Sequence, residues 1–79
     1  MYSVYVLLSL KNSELYIGYT KDLGKRIGQH NSGRVNSTKP YLPYKLIYSE
    51  NFNQQKDAIL REKELKTTKG RRFLKQFVK

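Results

Sequence analysis

Five side chains of one 79-residue chain have types that could work on a common anionic group. Tyr5 ends the run Ser3-Val4-Tyr5, and Tyr16 opens Tyr16-Ile17-Gly18. Arg26, His30 and Glu62 follow in that order. A guanidinium can grip two oxygens of a phosphate with its planar fork. A phenol has an ordinary pKa near 10, so it serves as a base only where positive charge or a metal favours its phenolate. A lone carboxylate is a sparse site for Mg²⁺, but that ion keeps several waters and shares its shell with substrate phosphates. As the only histidine, His30 cannot contribute to a multi-histidine metal site. Each residue also has a plainer reading. The tyrosines can be core aromatics, Arg26 can be solvated or salt-bridged, and His30 can fill space. Glu62 can pair with Arg26 or a lysine as readily as it can bind a metal.

The elements that would position these residues are legible from hydrophobic pattern. Tyr2 to Leu10 is almost entirely apolar or aromatic and reads as a strand buried on both faces. Lys11-Asn12-Ser13 is a polar turn, and Glu14 to Thr20 is a second strand completing a hairpin. On that strand Leu15, Ile17 and Tyr19 share one face; Tyr16, Gly18 and Thr20 share the other. Gly18 is expected to leave an open floor beside Tyr16, for a ligand or for a closely packed helix. Asp22 to Ser32 reads as a helix capped by Thr20 or Asp22 and ended by Gly33, with Leu23 and Ile27 inward and Lys21, Lys25 and Gln29 outward. Arg26 and His30 lie beside that inner stripe.

Gly33 to Pro43 is a basic loop with two prolines, and Tyr44 to Phe52 is a third strand. Asn53 is expected to cap a second helix from Gln54 to about Thr67. On it Ala58, Ile59 and Leu65 form a stripe, and Glu62 falls in the middle of that stripe. An acid in that position is costly unless paired or bound to metal. A last helical segment, Arg71 to Lys79, places Phe73 and Phe77 on one side. The order β-β-α-β-α-α predicts one α+β domain over residues 1–79, a small three-stranded sheet, mixed or antiparallel, flanked by helices.

Sixteen Lys and Arg against six acids give a formal charge of +10. Such a field attracts polyanions, nucleic acid foremost, with an anionic membrane surface as the rival. No run approaches the roughly 18 apolar residues of a membrane span. The first residues lack the features of a signal peptide, so a cytoplasmic protein is expected. Lys66, Lys69, Arg71, Arg72 and Lys75 read as phosphate-backbone contacts, against the plainer reading of a solvated face. With no cysteines there is no disulfide or thiolate-zinc brace, and a chain this short buries only about 60–65% of its unfolded surface. No Walker, Rossmann or HExxH element is present.

The ordered set tyrosine, tyrosine-X-glycine, arginine, histidine, glutamate resembles the GIY-YIG nuclease superfamily, most closely its small single-domain members of the UPF0213 type. Tyr16-Ile17-Gly18 is the intact YIG half; Ser3-Val4-Tyr5 stands where Gly-Ile-Tyr would be. The resemblance implies a metal-dependent endonuclease acting on DNA; the preferred form, whether duplex, flap, branched or single-stranded, stays open, with selectivity expected for structure more than for sequence. It implies that Tyr16 activates water, Tyr5 assists in positioning, Arg26 contacts the scissile phosphate and Glu62 holds one Mg²⁺ or Mn²⁺. It sets His30 where the family has histidine or tyrosine, and tips Glu62 from ion pair towards metal ligand. The same basic surface would equally serve a nucleic-acid-binding module without catalysis, from which the inward Glu62 is the distinguishing feature.

Overall fold

The computed structural model describes residues 1–78. Three strands, β1 (Tyr2–Ser9), β2 (Leu15–Thr20) and β3 (Tyr44–Phe52), form an antiparallel sheet of order β2-β1-β3. Three α-helices follow the expected order: α1 (Leu23–Asn31), α2 (Gln55–Leu65) and α3 (Thr68–Leu74). Short 3₁₀ turns occupy Lys39–Tyr41 and Lys75–Phe77. The expected α+β class and β-β-α-β-α-α order are therefore observed, with the sheet antiparallel throughout.

β1 is central, which explains its unbroken apolar run: Val4, Tyr5, Val6 and Leu7 are all buried. Its alternation sends Val4 and Val6 to one side, where they pack with Ile17 and with Ala58, Leu65 and Leu74 of α2 and α3. Tyr5 and Leu7 go to the other side, where Tyr16, Tyr44 and the inward Leu23 and Ile27 of α1 surround them. A register shift between Val6 and Leu7 leaves Ile47 as an extra residue on β3, so Ile47 and its neighbour Tyr48 both pack against the first cluster.

The helix starts differ from expectation in two places. Asp22 caps α1 as expected, its carboxylate accepting from the Lys25 N–H at 3.1 Å. Asn53 does not cap α2: Gln54 holds that position and makes no side-chain capping bond. The last helix begins at Thr68 and passes into 3₁₀ geometry at Lys75. Its earlier start follows from Thr67, whose hydroxyl accepts from the Gly70 N–H at 3.1 Å. Lys79, the expected end of that segment, lies outside the described residues.

Gly70 is what lets α3 fold tightly against the end of α2. A Cβ there would come within 2.3 Å of the Glu64 carbonyl oxygen and 2.5 Å of the Leu65 Cα. Both are backbone atoms, which cannot swing aside. Gly70→Ala is expected to destabilise the fold by about 1–3 kcal/mol, the usual cost of overpacking, although alanine is the better helix former. Urea unfolding checks this; a midpoint equal to or above wild type would mean that the α2–α3 junction is loose.

Candidate active site

The site is built on the sheet face that carries Tyr5 and Tyr16. Tyr5 is paired directly across from Gly18, and Tyr16 across from Leu7. A Cβ on Gly18 would lie 2.7 Å from Tyr5 Oη, 2.9 Å from Tyr5 Cζ and 3.3 Å from Tyr16 Cε1. The expected open floor is therefore filled, neither by a ligand nor by a helix: the ring of Tyr5 lies over the glycine. Glycine is needed because Tyr5 is buried and its hydroxyl is tied on both sides, so the ring has nowhere to retreat.

α1 lowers Arg26 and His30 onto this face. Tyr5 Oη is 3.0 Å from His30 Nε2, and Arg26 Nε donates to Tyr5 Oη at 3.4 Å. Tyr16 stacks beside Tyr5 with ring centroids 6.3 Å apart, and meets the His30 ring edge-on at 4.8 Å. Four of the five candidate residues thus form one connected group. Their exposures separate them. Tyr5 and His30 are 1% and 0% exposed, whereas Tyr16 and Arg26 are half-buried and reachable from outside.

Electrostatics follow this division. Burial pushes the Tyr5 phenol above its ordinary pKa, outweighing the hydrogen bond from Arg26; the nearby Glu62 charge adds to the rise. Tyr5 is therefore neutral at physiological pH and has an O–H to donate. Positive charge does not make it a phenolate. The hydrogen bond to Tyr5 is the main influence holding Arg26 charged, and Tyr16 adds to it. Burial, then the Arg26 charge, lowers the His30 pKa, so His30 is neutral.

Glu62 sits where periodicity put it. It lies between the fully buried Ala58 and Leu65, and its side chain is 17% exposed. Its partner is Lys66 at 3.4 Å, one turn along the helix, and Arg26 is held elsewhere. Lys66 is about half exposed, and an i,i+4 pair of that kind is worth only a few tenths of a kcal/mol. The pair therefore does not tie up the carboxylate. Among the described residues no three or more His, Cys, Asp or Glu come together. The donor set is one hard oxygen ligand open to solvent, which fits a hydrated divalent ion completed by water and phosphate oxygens, and does not fit an all-protein cage.

Two residues of the site were not singled out by sequence. Gln29, expected to face outward, is half-buried, and its Oε1 accepts from Arg26 Nη1 at 3.1 Å. Its i,i+3 spacing from Arg26 was the available signal. Thr38, in the basic loop, is 1% exposed and lies 2.9 Å from His30 Nδ1. No periodicity marks it, because the loop has none. The basic residues of the tail are exposed but do not converge. Arg71 and Lys75 line a cleft with Ser13, Glu14 and Leu15 of the hairpin end, whereas Lys69 lines another with Arg61 and Phe73. Arg72 is exposed on α3 and borders neither of these clefts.

The sequence profile of the GIY-YIG catalytic domain matches residues 1–76. A UPF0213 protein of Staphylococcus saprophyticus is 40% identical over 70 residues, covering 87% of this chain and 85% of its own. One from Lactococcus lactis is 36% identical over 83 residues, covering 91% and 85%. The solution NMR structure of a UPF0213 protein from Bacillus halodurans superposes with a TM-score of 0.58 at 30% identity, covering 96% of this chain and 84% of that one.

The buried neutral His30 predicts acid sensitivity with a definite sign. Its folded pKa lies below the unfolded value of about 6.5. Its contribution to stability is complete above that pH and is lost as pH falls through the folded value. Thermal midpoints should drop between pH 7.5 and pH 5. His30→Gln should flatten that dependence, since no other histidine titrates in the window. An equal slope in the variant would place the acid sensitivity elsewhere.

Proposed function

Since the chain belongs to the GIY-YIG catalytic-domain family, a family of nucleases, we propose that it is a metal-dependent endonuclease that hydrolyses DNA phosphodiester bonds. The observation that carries this reading is the convergence of Tyr5, Tyr16, Arg26 and His30 on one sheet face. The division of exposure supports the following roles. Tyr16, half-buried and reachable from outside, is the residue that activates the attacking water. Arg26 is held by Tyr5 through Nε and by Gln29 through Nη1. That leaves Nη2 to bind non-bridging phosphate oxygens and to offset the charge that grows on them in the transition state. Tyr5 and His30 are too buried to meet substrate directly and act by holding Arg26.

Glu62 is the residue that would hold Mg²⁺ or Mn²⁺, releasing Lys66 to the phosphate. Such an ion would offset charge on the attacked phosphate and the leaving oxygen. The dispersed lysines and arginines of α3 suit backbone contact with DNA and carry no base readout, so selectivity is for DNA structure, branched or single-stranded, more than for sequence. Among the described residues no helix is long and apolar enough to cross a membrane, and a cytoplasmic location is part of this proposal. The Lys66–Glu62 pair favours a second reading. By screening the Glu62 charge from a bound phosphate it would also suit a nucleic-acid-binding module without catalysis.

A panel of labelled duplex, flap, branched and single-stranded DNA, incubated with Mg²⁺, Mn²⁺ or EDTA, separates the two. Metal-dependent cleavage of any member establishes the nuclease; binding without cleavage of all of them establishes the module. Within the nuclease reading, Glu62→Gln keeps the shape and removes the charge a metal needs. Cleavage should be lost while DNA binding is kept or improved, and unaltered metal-dependent cleavage would remove Glu62 from the site.

Tyr16→Phe deletes only the hydroxyl. Turnover should fall by about 10²-fold or more, the scale of general-base catalysis, with DNA affinity retained. Near-normal turnover would reduce Tyr16 to a packing residue.

A further inference from the structure

The hydrogen bonds around His30 have one direction that leaves no buried donor unpaired, and Tyr5 sets it. Arg26 Nε, 3.4 Å from Tyr5 Oη, can only donate, so the Tyr5 O–H goes to His30 Nε2 at 3.0 Å. A neutral imidazole that accepts at Nε2 carries its proton on Nδ1, and Nδ1–H then donates to Thr38 Oγ1 at 2.9 Å. The Thr38 hydroxyl turns to the Val35 carbonyl at 3.3 Å, a long contact to an oxygen that also accepts from the Thr38 and Lys39 N–H groups. The Tyr5 oxygen keeps its accepting capacity for Arg26 Nε at 3.4 Å. The guanidinium is fixed at its other side by Gln29.

The opposite direction is inferior. If Thr38 donated to Nδ1, little would be lost at Val35, whose carbonyl keeps its two N–H donors; the penalty falls on Tyr5. His30 would donate from Nε2, and Tyr5 Oη would face two N–H donors, its own proton deprived of the Nε2 acceptor. Tyr5, His30 and Thr38 are each at most 1% exposed, so bulk water does not compensate, and a buried polar group left unpaired is costly.

We propose that Thr38 is a positioning residue of the active site, locking His30 in its Nδ1–H tautomer so that Tyr5 donates to His30 and presents its oxygen to Arg26. Through it the loop between α1 and β3, which touches neither tyrosine of the motif by hydrogen bond, helps to aim the phosphate-binding guanidinium. The tautomer follows from geometry alone. Its bearing on turnover rests on the nuclease reading above.

The test is ¹⁵N NMR of the His30 ring through its long-range couplings to the ring C–H protons, at a pH where the ring is neutral. Wild type should show the proton on Nδ1 and a bare Nε2. Thr38→Val keeps the shape and removes the acceptor, and should move the proton to Nε2 in part or in full. Thr38→Ser should restore the wild-type spectrum. On whichever DNA is cleaved, Thr38→Val should lower kcat by roughly 10- to 100-fold, the scale of a small misplacement of a reacting group. KM should change little, and Thr38→Ser should recover the rate. An Nε2–H tautomer in wild type overturns the proposal without any variant having to fold. A changed tautomer with unchanged kcat overturns the positioning role. If wild type cleaves no DNA, the nuclease reading fails, and the ring spectrum still decides the tautomer.

Discussion

A phenol and an imidazole, both shut away from water and 3.0 Å apart, join the central strand to the first helix. Sealing Tyr5 and His30 in the interior forfeits the hydrogen bonds both would make in water, so their partners must be present and correctly aimed. That requirement propagates. α1 must lie where His30 meets Tyr5, which also brings Arg26 within reach of the same hydroxyl. The residue opposite Tyr5 on β2 must have no side chain, which makes Gly18 a packing requirement of the neighbouring tyrosine and not an opening for a ligand. Thr38 must turn inward to occupy the far ring nitrogen. Among the described residues no buried side-chain nitrogen or oxygen is left without a partner.

The opposite face of the sheet is built by a different rule. There Val4, Val6 and Ile17 meet Ala58, Leu65 and Leu74 in an apolar cluster, with no buried hydrogen-bond chain to dictate angles. What fixes α2 against β3 is a half-buried polar group at its margin. Arg61 Nε donates to Glu50 at 2.8 Å, Tyr48 donates to the same carboxylate, and the guanidinium lies over the Phe73 ring. Burial raises the Glu50 pKa, but the hydrogen bonds from Tyr48 and Arg61 outweigh it and keep the carboxylate charged. Arg61 is adjacent to Glu62, so this clamp also sets the rotation of the helix that carries the candidate metal ligand. The sheet therefore has a specified polar face where atoms must be placed to fractions of an ångström, and an apolar face where bulk and one edge clamp suffice.

Sequence made legible whatever depends on period and charge. The bounds of β3, the double burial of β1, the Asp22 cap and the inward placement of Glu62 all follow from local pattern, and all are found. The class and element order follow from the same pattern, and the family from five residues in order. What escaped was set by contacts across the chain. The role of Gly18 depends on which β1 residue lies opposite it, a matter of register. Thr38 depends on how an aperiodic loop returns to the helix before it. Gln29 points inward because Arg26 needs a second anchor, which overrides its place on the polar side of α1. The start of α3 shifted because a threonine cap and a glycine permit a tighter junction than the phenylalanine spacing indicated. The tail charges were visible as charges, but their scatter over separate clefts is a property of the folded surface.

The altered first motif bears on whether the polar face could survive sequence change at its entrance. Serine stands at position 3 where glycine would complete the pattern, yet β1 runs through it without interruption, paired with Thr20 on one side and Asn51 on the other. The hydroxyl is used: Ser3 Oγ donates to Asn51 Oδ1 at 2.8 Å, stitching β1 to β3. Nothing in the site requires a bare backbone at that point, because the group that must be placed is Tyr5. In a strand the side of residue 5 is fixed by alternation, whatever occupies residue 3. The two glycines of the motif pair are therefore not equivalent. One can be replaced by a small residue that finds its own partner at the sheet margin. The other lies beneath an immobilised aromatic ring, and there any Cβ competes for space with the hydroxyl on which the site is built.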